Sequence, residues 1–369
     1  MKEKRRLIKA AASWLWVAAV PALALLLSFL ICSLLLKLYN ADPVVAYTAL
    51  FRGALVGKYN FSETIAIMIP LLLIALGIAV AQTGDNQNIG GEGQFHMGAL
   101  GAAFVAIYLP ANTPVLFSIP LLMATGALFG MAWILLPAVL KIKRGVSEIV
   151  MTVMMNEIGK GIVSCLLSNG MKDPNSPIHQ TVEFGENWKL PTIITDTKIH
   201  LGFVLALILT VILWVYLNKM TGGFEVKAVG QCKKAAQYAG MRVGKVALMT
   251  FLLSGALAGL AGACEVSGIY NRLIEGFSLG FGFTAIVISL LGKRNPLKIA
   301  IAAFCFAALI TGANAMQRAV GTPATLASVI QAVTVFFWMI SEFFVSQLRK
   351  KINLLKSMKS TQAIPSTSN

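Results

Sequence analysis

Long apolar stretches separated by short polar gaps make up most of the 369-residue chain. A helix needs about 20 mostly apolar residues to cross roughly 30 Å of hydrocarbon, and backbone groups in lipid must pair within the helix. On this scale the sequence predicts helical membrane segments near residues 13–36, 63–83, 88–109, 115–140, 148–168, 199–218, 246–266, 279–292, 298–315 and 326–346. Segment 88–109 begins with polar residues and segment 279–292 is short enough to be re-entrant, so we predict eight to ten crossings.

The composition of the chain is typical of a protein embedded in lipid. Hydrophobic residues are 57% of it and charged residues 12%, about half of the roughly 25% charged residues usual in soluble domains. A water-soluble fold of this length would expose a large apolar surface. The predicted fold class is therefore an all-α polytopic membrane protein.

The chain carries 31 Lys and Arg residues against 15 Asp and Glu residues. They lie in the gaps between apolar segments and not on one face of a soluble module, which argues against nucleic acid as a partner. With ten crossings and an inner N-terminus, the inner gaps hold 22 of these cations and the outer gaps eight, while Lys160 lies within a segment. This bias follows the positive-inside rule and predicts that both termini are cytoplasmic.

The same topology divides the chain into three parts. Residues 1–12 are a basic cytoplasmic N-terminus, residues 13–346 a membrane domain, and residues 347–369 a cytoplasmic tail that we expect to be disordered. Within the membrane domain, residues 169–198 form a predicted external loop and residues 219–245 a predicted cytoplasmic loop.

The sequence offers no catalytic or metal-binding pattern. Its five cysteines are far apart and its three histidines isolated, so we predict neither disulfides nor a metal site. There is no Ser/His/Asp arrangement, no carboxylate pair at workable spacing and no phosphate-binding G-x-x-x-x-G-K-[ST] loop. We therefore predict a protein that is not an enzyme and holds no cofactor of its own.

The first informative stretch is Asn-Ile-Gly-Gly-Glu-Gly-Gln at residues 88–94. Glycine-rich polar backbone at membrane depth is tolerated only beside protein or a water-filled cavity, and a charge at a helix centre costs about 2.5–3.5 kcal/mol. Glu92 is thus predicted to face a solute path between helices. The alternative is a helix cap in a polar turn at the cytoplasmic membrane surface.

The second stretch, residues 223–241, contains a predicted short helix from Gln231 to Tyr238, bounded by Gly230 and Gly240. A compact cytoplasmic helix between two spans can dock into a groove of another protein. From these residues alone, a solvated basic linker is an equal alternative.

The third stretch begins near Glu265, at the predicted outer end of a span, and continues to Phe277, Phe281 and Phe283. These aromatic rings could stack on a base or sugar, although interfacial anchors are the commoner role of such residues. Earlier in the same span, the Gly255-x-x-x-Gly259 spacing predicts close helix packing.

Taken in order, several motifs resemble the permeases of bacterial ATP-binding-cassette importers for ribose, branched-chain amino acids and simple sugars. The resemblance covers roughly residues 40–345 and is greatest to the nucleoside branch that works with a basic-membrane-protein-type lipoprotein. The motifs are Asn88–Gln94, Ser147–Val150 with Asn156, Ala228–Gly230 with Ala235–Gly240, Leu253–Ala263 with Glu265, Gly276–Ser278, Leu291–Gly292 with Asn295–Pro296, Gln317–Arg318 and Val329–Gln331.

The resemblance implies a nucleoside importer, above all for purine nucleosides, in the bacterial cytoplasmic (inner) membrane. Two permeases, alike or homologous, would join two cytoplasmic ATPase subunits that bind ATP and an extracytoplasmic substrate-binding lipoprotein. The residues implied to couple to the ATPase are Ala228, Val229, Gly230, Ala235, Ala236, Tyr238, Ala239 and Gly240. Those near the solute path are Asn88, Gly90, Glu92, Gln94, Asn156 and Glu265, to which the residue pattern adds Phe277, Phe281 and Phe283.

The chain departs from the family pattern at three positions. Thr284 and Asn314 stand where an acidic residue is frequent, and Glu157 stands where an aromatic residue is frequent. Simple sugars and branched-chain amino acids therefore stay open as substrates. The rival from another class is a self-sufficient secondary transporter or channel, which would need intramembrane acids or broken helices in inverted repeats.

Overall fold

The structure is a computed structural model that describes residue 23, residues 26–321 and, with gaps at 331, 338, 342–343 and 346, residues 329–347. The predicted N-terminus 1–12, most of segment 13–36 up to residue 25, and the tail after residue 347 lie outside the described residues. The predicted segment 326–346 is described only in part.

The described chain is built from α-helices, and its only strand-like pairings are two isolated backbone bridges. In chain order the helices are α1 Leu26–Leu38, α2 Pro43–Leu55, α3 Lys58–Thr83, α4 Gly91–Tyr108, α5 Val115–Arg144, α6 Glu148–Ser168, α7 Gly202–Lys219, α8 Thr221–Gln231, α9 Lys233–Tyr238, α10 Val243–Glu265, α11 Phe281–Leu291 and α12 Pro296–Val320. A π-helical turn, Val266–Tyr270, continues α10, and a further apolar helix covers Ala332–Ser341.

Six of these helices are long and apolar enough to span a membrane in the described part of the chain, which confirms an all-α polytopic fold. They are α3, α5, α6, α7, α10 with its π turn, and α12. The pair α1 and α2, bent by 120°, would be a seventh span if counted as one broken helix. The two predicted segments named as doubtful are α4, which begins with polar residues, and α11, which has 11 residues, about 16 Å or half of the hydrocarbon thickness. The predicted segments 13–36 and 326–346 are described only in part, so the predicted total of eight to ten crossings stays a prediction.

The chain divides into two compact units, Met1–Gly53 with Gly312–Asn369 and Ala54–Thr311. In the first, Leu36, Leu50 and Met316 belong to one buried apolar cluster. In the second, α3 is almost wholly buried, with 94% of its most apolar window inside the protein.

Glycines bring α4, α5 and α10 of the second unit into backbone contact. A Cβ on Gly98 of α4 would lie 2.2 Å from the Gly259 carbonyl oxygen, and one on Gly130 of α5 would lie 2.2 Å from that of Gly255. This is the close packing that small residues permit between membrane helices, and it confirms the prediction from the Gly255-x-x-x-Gly259 spacing.

The two long loops lie at opposite ends of α7. Residues 169–201 precede α7 and pack over the turn after α10, where the Leu190 amide donates to the Ser267 carbonyl at 2.9 Å. Trp188 of this loop is fully buried and donates to the Pro110 carbonyl at 3.3 Å. Helices α8 and α9 follow α7, whose 18 residues span about 27 Å.

Candidate functional site

A cavity of about 520 Å³ opens halfway along α6, between that helix, the beginning of α4 and the segment that leads into α11. It brings together acidic, basic, hydroxyl and aromatic side chains from parts of the chain that are far apart in sequence. Its walls include Glu92, His96, Glu157, Lys160, Val163, Ser164, Glu275, Phe277, Ser278 and Phe283. Polar groups at this depth are typical of a solute path and not of a lipid-facing wall.

Glu92 ties α4 to the N-terminal end of α11. One carboxylate oxygen accepts the Gly282 amide N–H at 2.7 Å and the other accepts the Ser278 hydroxyl at 2.5 Å. The positive end of a helix dipole favours a carboxylate at this place, which offsets the burial of a side chain that is only 3% exposed. Glu92 is thus a helix cap, as in the alternative interpretation of the sequence, but it caps α11 inside the protein and also borders the cavity.

Three predicted path residues form a buried hydrogen-bonded frame behind the cavity wall. The Asn88 amide exchanges hydrogen bonds with the Gln94 side chain at 2.9 and 3.0 Å and also donates to the Ser254 hydroxyl. Asn156 of α6 accepts the Gly93 amide at 2.8 Å and donates to the Ile89 carbonyl. These contacts position the start of α4, and none of the three side chains lines the cavity.

Gly90 and Glu265 also lie away from the cavity. A Cβ on Gly90 would be 2.8 Å from the side-chain amide nitrogen of Gln94, so a larger residue there would displace the buried Asn88–Gln94 pair. Glu265 is 6% exposed and stands where α10 changes into the π-helical turn. A role of either residue in solute binding stays a prediction.

The three predicted aromatic residues have different surroundings. Phe281 is buried and packs edge-on against Phe95 at 5.9 Å, so its ring face is not available to a solute. Phe277 is stacked on Phe95 at 5.1 Å and forms part of the cavity wall. Phe283 is 42% exposed at the cavity, and the Lys160 ammonium lies 5.9 Å from its ring centre. Phe283 therefore offers the accessible ring face.

The charged pair at the middle of α6 was not among the residues predicted to line the solute path. Glu157 and Lys160 are residues 10 and 13 of this 21-residue helix, and their charged groups are 2.7 Å apart. The side chain of Glu157 is 70% exposed and that of Lys160 37% exposed. The signal was present, because two charges interrupt an otherwise apolar segment and each costs about 2.5–3.5 kcal/mol in lipid.

A third carboxylate closes the end of the cavity nearest residues 169–201. Glu275 accepts a hydrogen bond from the Ser164 hydroxyl of α6 and contacts the His179 ring nitrogen at 2.8 Å. The Ser164 hydroxyl, and then His179, lower the pKa of Glu275 below its ordinary value. This carboxylate is therefore held in its charged form at the cavity.

The helical loop after α7 differs from the predicted single helix. Gly230 lies inside α8 and does not bound the helix. Its missing side chain lets α8 approach α3, since a Cβ there would be 1.9 Å from the Thr83 carbonyl oxygen. Cys232 has an extended backbone that interrupts the helix, and α9 begins only at Lys233. Gly240, at φ +81°, follows the end of α9, as the sequence predicted.

Within this loop, some predicted coupling residues face inward and others outward. Val229 and Ala236 are buried and Ala228 is half-buried, so these hold α8 and α9 in place. The outward set is Ala235, Tyr238, Ala239 and Gly240. Tyr238 is 93% exposed, and such an aromatic side chain on a small-residue surface is typical of an anchor for a protein partner.

Comparison with known protein families shows to which family the chain belongs. The family described as branched-chain amino acid transport system, permease component, matches residues 60–339. The chain is a member of this permease family. Membership makes it a multi-pass membrane protein and the transport component of its system rather than an enzyme, and it implies ATPase and substrate-binding partners.

Three relatives match the permease over most of its length. A glucose ABC transporter permease of Haloferax volcanii is 33% identical over 89% of both chains. A guanosine ABC transporter permease of Bacillus subtilis is 33% identical over 90% of this chain and 97% of its own. A nucleoside ABC transporter permease of Lactococcus lactis is 30% identical over 93% and 96%, respectively.

Proposed function

We propose that this permease forms the solute path of an ATP-driven importer and that the cavity beside Glu157 and Lys160 is part of that path. The exposed charges halfway along α6 carry this proposal. Facing lipid, Glu157 and Lys160 would each cost about 2.5–3.5 kcal/mol. Facing a second permease across an aqueous path, they would stay solvated. The path therefore lies between this face and a second copy or a homologous subunit.

Nucleosides, purine nucleosides above all, are the proposed substrates. The cavity offers the Phe283 ring for stacking on a base, and charged and hydroxyl groups of Lys160, Ser164 and Glu275 for ribose hydroxyls and base edges. Its volume of about 520 Å³ is in the range of about 300–1,000 Å³ typical of small-molecule sites. The guanosine and nucleoside permeases among the relatives favour the same class.

Simple sugars are the second candidate, because a glucose permease is as similar to this chain as the guanosine permease. A sugar would use the polar groups of the cavity and leave the Phe283 ring without a stacking partner. The two classes therefore differ in their dependence on that ring.

The remaining parts of the importer follow the same proposal. The outward residues in and just after α9 (Ala235, Tyr238, Ala239 and Gly240) dock on a cytoplasmic ATPase that binds and hydrolyses ATP. Residues 169–201 face an extracytoplasmic binding lipoprotein. Both termini are cytoplasmic, and the membrane is the bacterial cytoplasmic membrane. ATP binding shifts the permease pair between outward-open and inward-open states, and the solute crosses without chemical change.

Competition for uptake tests the substrate class. The permease is reconstituted in proteoliposomes with its ATPase and binding lipoprotein, and uptake of labelled guanosine is measured. Unlabelled nucleosides should compete, whereas glucose and leucine should not. Phe283→Leu should reduce uptake and Phe117→Leu, on the exposed surface of α5, should not. Competition by glucose alone would reject the nucleoside assignment in favour of sugars.

A further inference from the structure

A second cavity, of about 300 Å³, lies at the end of the molecule that carries α8. It is formed where three spans end or begin: Thr83 closes α3, Asn218 is near the end of α7, and Pro296 opens α12. The solute path proposed above does not use this cavity, because its walls share no residue with the cavity beside α6.

The walls of this second cavity are strongly basic. Lys227 of α8 and Lys293 and Arg294 of the turn before α12 contribute three positive charges, and none of the described residues that line it is acidic. Lys227 is held in place by a hydrogen bond to the Asn218 side chain at 2.9 Å. The nearby Asp85 carboxylate pairs with Lys233 at 2.8 Å and also attracts Arg294, so one carboxylate stands against four cations. The cavity therefore keeps a positive potential.

The N-terminal end of α12 adds to that potential. Asn295 and Pro296, the residues at which this 25-residue helix begins, are part of the cavity wall. A helix N-terminus carries about half a positive charge, and anions bind there readily. Basic side chains that converge on a helix N-terminus form a site suited to a phosphate group.

The two spans that flank the cavity also expose aliphatic side chains. Ile212 and Val215 of α7 are exposed, as are Leu297 and Ile301 of α12. In a membrane such exposed aliphatic side chains would face acyl chains. The combination of a phosphate site with an adjoining lipid-facing surface fits a phospholipid better than a soluble ion.

We infer that this cavity binds the phosphate headgroup of an anionic phospholipid, beside the helices proposed to meet the ATPase. The inference rests on the proposed function only in placing α8 on the cytoplasmic side, where basic pockets between membrane helices bind anionic headgroups. Lipid bound there would brace the contact of α8 with α3 at Gly230.

Lipid titration of the full-length permease tests this site without any transport measurement. Native mass spectrometry follows the binding of phosphatidylglycerol and of phosphatidylcholine to detergent-solubilised protein. Each basic residue at a membrane surface contributes about fivefold in affinity for anionic lipid, so Lys227→Gln/Lys293→Gln/Arg294→Gln should weaken phosphatidylglycerol binding about a hundredfold. Each single variant should weaken it about fivefold, which keeps the test valid if the triple variant does not fold.

The matched control removes three exposed cations from the same end of the molecule. Lys143→Gln/Arg144→Gln/Lys245→Gln should leave phosphatidylglycerol binding within about twofold of wild type. Equal loss in both triple variants, or wild-type binding in the cavity variant, would overturn the inference.

Two further arms separate the lipid from other occupants. Inorganic phosphate in solution should not displace phosphatidylglycerol, and displacement would identify a site for a soluble anion. Capture of the purified ATPase should be unchanged in the cavity variant. Loss of ATPase capture with intact lipid binding would make the cavity a protein-docking site and reject the lipid.

Discussion

The carboxylate of Glu92 accepts the backbone N–H of Gly282 at 2.7 Å and so joins the first turn of α4 to the first turn of α11. These residues are 190 positions apart in the sequence. Because α11 is only 11 residues long, its N-terminal end is inside the protein, and Glu92 supplies the acceptor that its free amides need.

Removing this cap should destabilise the permease. Glu92→Ala leaves the Gly282 amide and the Ser278 hydroxyl without their acceptor, and we expect a loss of about 1.5–3 kcal/mol because hydrogen bonds to a charged group are involved. Thermal unfolding in detergent, followed by intrinsic fluorescence, measures the change. Glu157→Ala, at an exposed carboxylate, should leave the melting temperature nearly unchanged. Equal melting temperatures for Glu92→Ala and wild type would refute the capping role.

Gly282 should not tolerate even one added methyl group. Its Cβ would lie 2.3 Å from the Glu92 backbone nitrogen, so Gly282→Ala must push α11 away from α4, at a cost of about 1–3 kcal/mol. The matched control is Gly161→Ala on α6, where a Cβ meets no atom within 4 Å and the helix gains propensity. The two variants are compared by thermal unfolding, and a loss of the same size in both would contradict the close approach.

Coupling to the ATPase is best tested on α9. Ala235 is exposed, so Ala235→Arg should keep the fold while placing an unpaired charge in the proposed interface, and uptake should fall about tenfold or more. Val146→Arg, an exposed site on the loop between α5 and α6, is the control and should retain uptake. Gly230 is unsuitable for this purpose, since any side chain there would meet α3 first. Undiminished uptake by Ala235→Arg would exclude α9 from coupling.

The buried His200 predicts a loss of stability in acid. This side chain is 1% exposed, and burial lowers the pKa of His200 from 6.5 to about 4. The unfolded chain therefore binds a proton that the folded chain does not between pH 6.5 and 4, and stability falls by roughly 3 kcal/mol as the pH is lowered through this window.

Scanning fluorimetry from pH 7 to 4 measures that loss, because this range covers both the ordinary pKa of His200 and its lowered pKa in the folded protein. His200→Asn keeps an acceptor for the Gly202 amide, which His200 accepts at 3.2 Å, and should flatten the acid-dependent decline in melting temperature. His179→Asn leaves His200 in place and should retain the decline. A decline of unchanged steepness in His200→Asn would show that other groups cause it.

Local patterns predicted much of this molecule. Apolar length located the spans that are described, and the Gly255 and Gly259 spacing predicted the contact of α10 with its neighbours, because both depend only on residues close in sequence. The same length rule left α4 and α11 open as full spans, because α4 begins with polar residues and α11 has only 11 residues. Apolar patterning thus locates the helices, but it cannot say whether a segment shorter than the bilayer thickness crosses the membrane.

Long-range contacts explain what the sequence did not predict. The partner of Glu92 is in α11, and the reason for Gly230 is the end of α3, neither of which is visible in the local sequence. Phe281 and Phe283 belong to one helix turn, yet only the packing of Phe95 reveals that the first is buried and the second accessible. Glu157 and Lys160 were visible as charges within an apolar segment, but their common exposure at one cavity required the fold.

Cysteine labelling at Lys160 tests the proposed solute path most directly. In the importer with its exposed Cys165 and Cys232 replaced by serine, Lys160→Cys is treated with a membrane-impermeant, charged methanethiosulfonate, and so is Ile158→Cys, another exposed position on α6. The proposed path predicts that Lys160→Cys reacts, that nucleoside slows the reaction, and that Ile158→Cys stays unlabelled in lipid. If Lys160→Cys is as unreactive as Ile158→Cys, no aqueous route passes this face of α6.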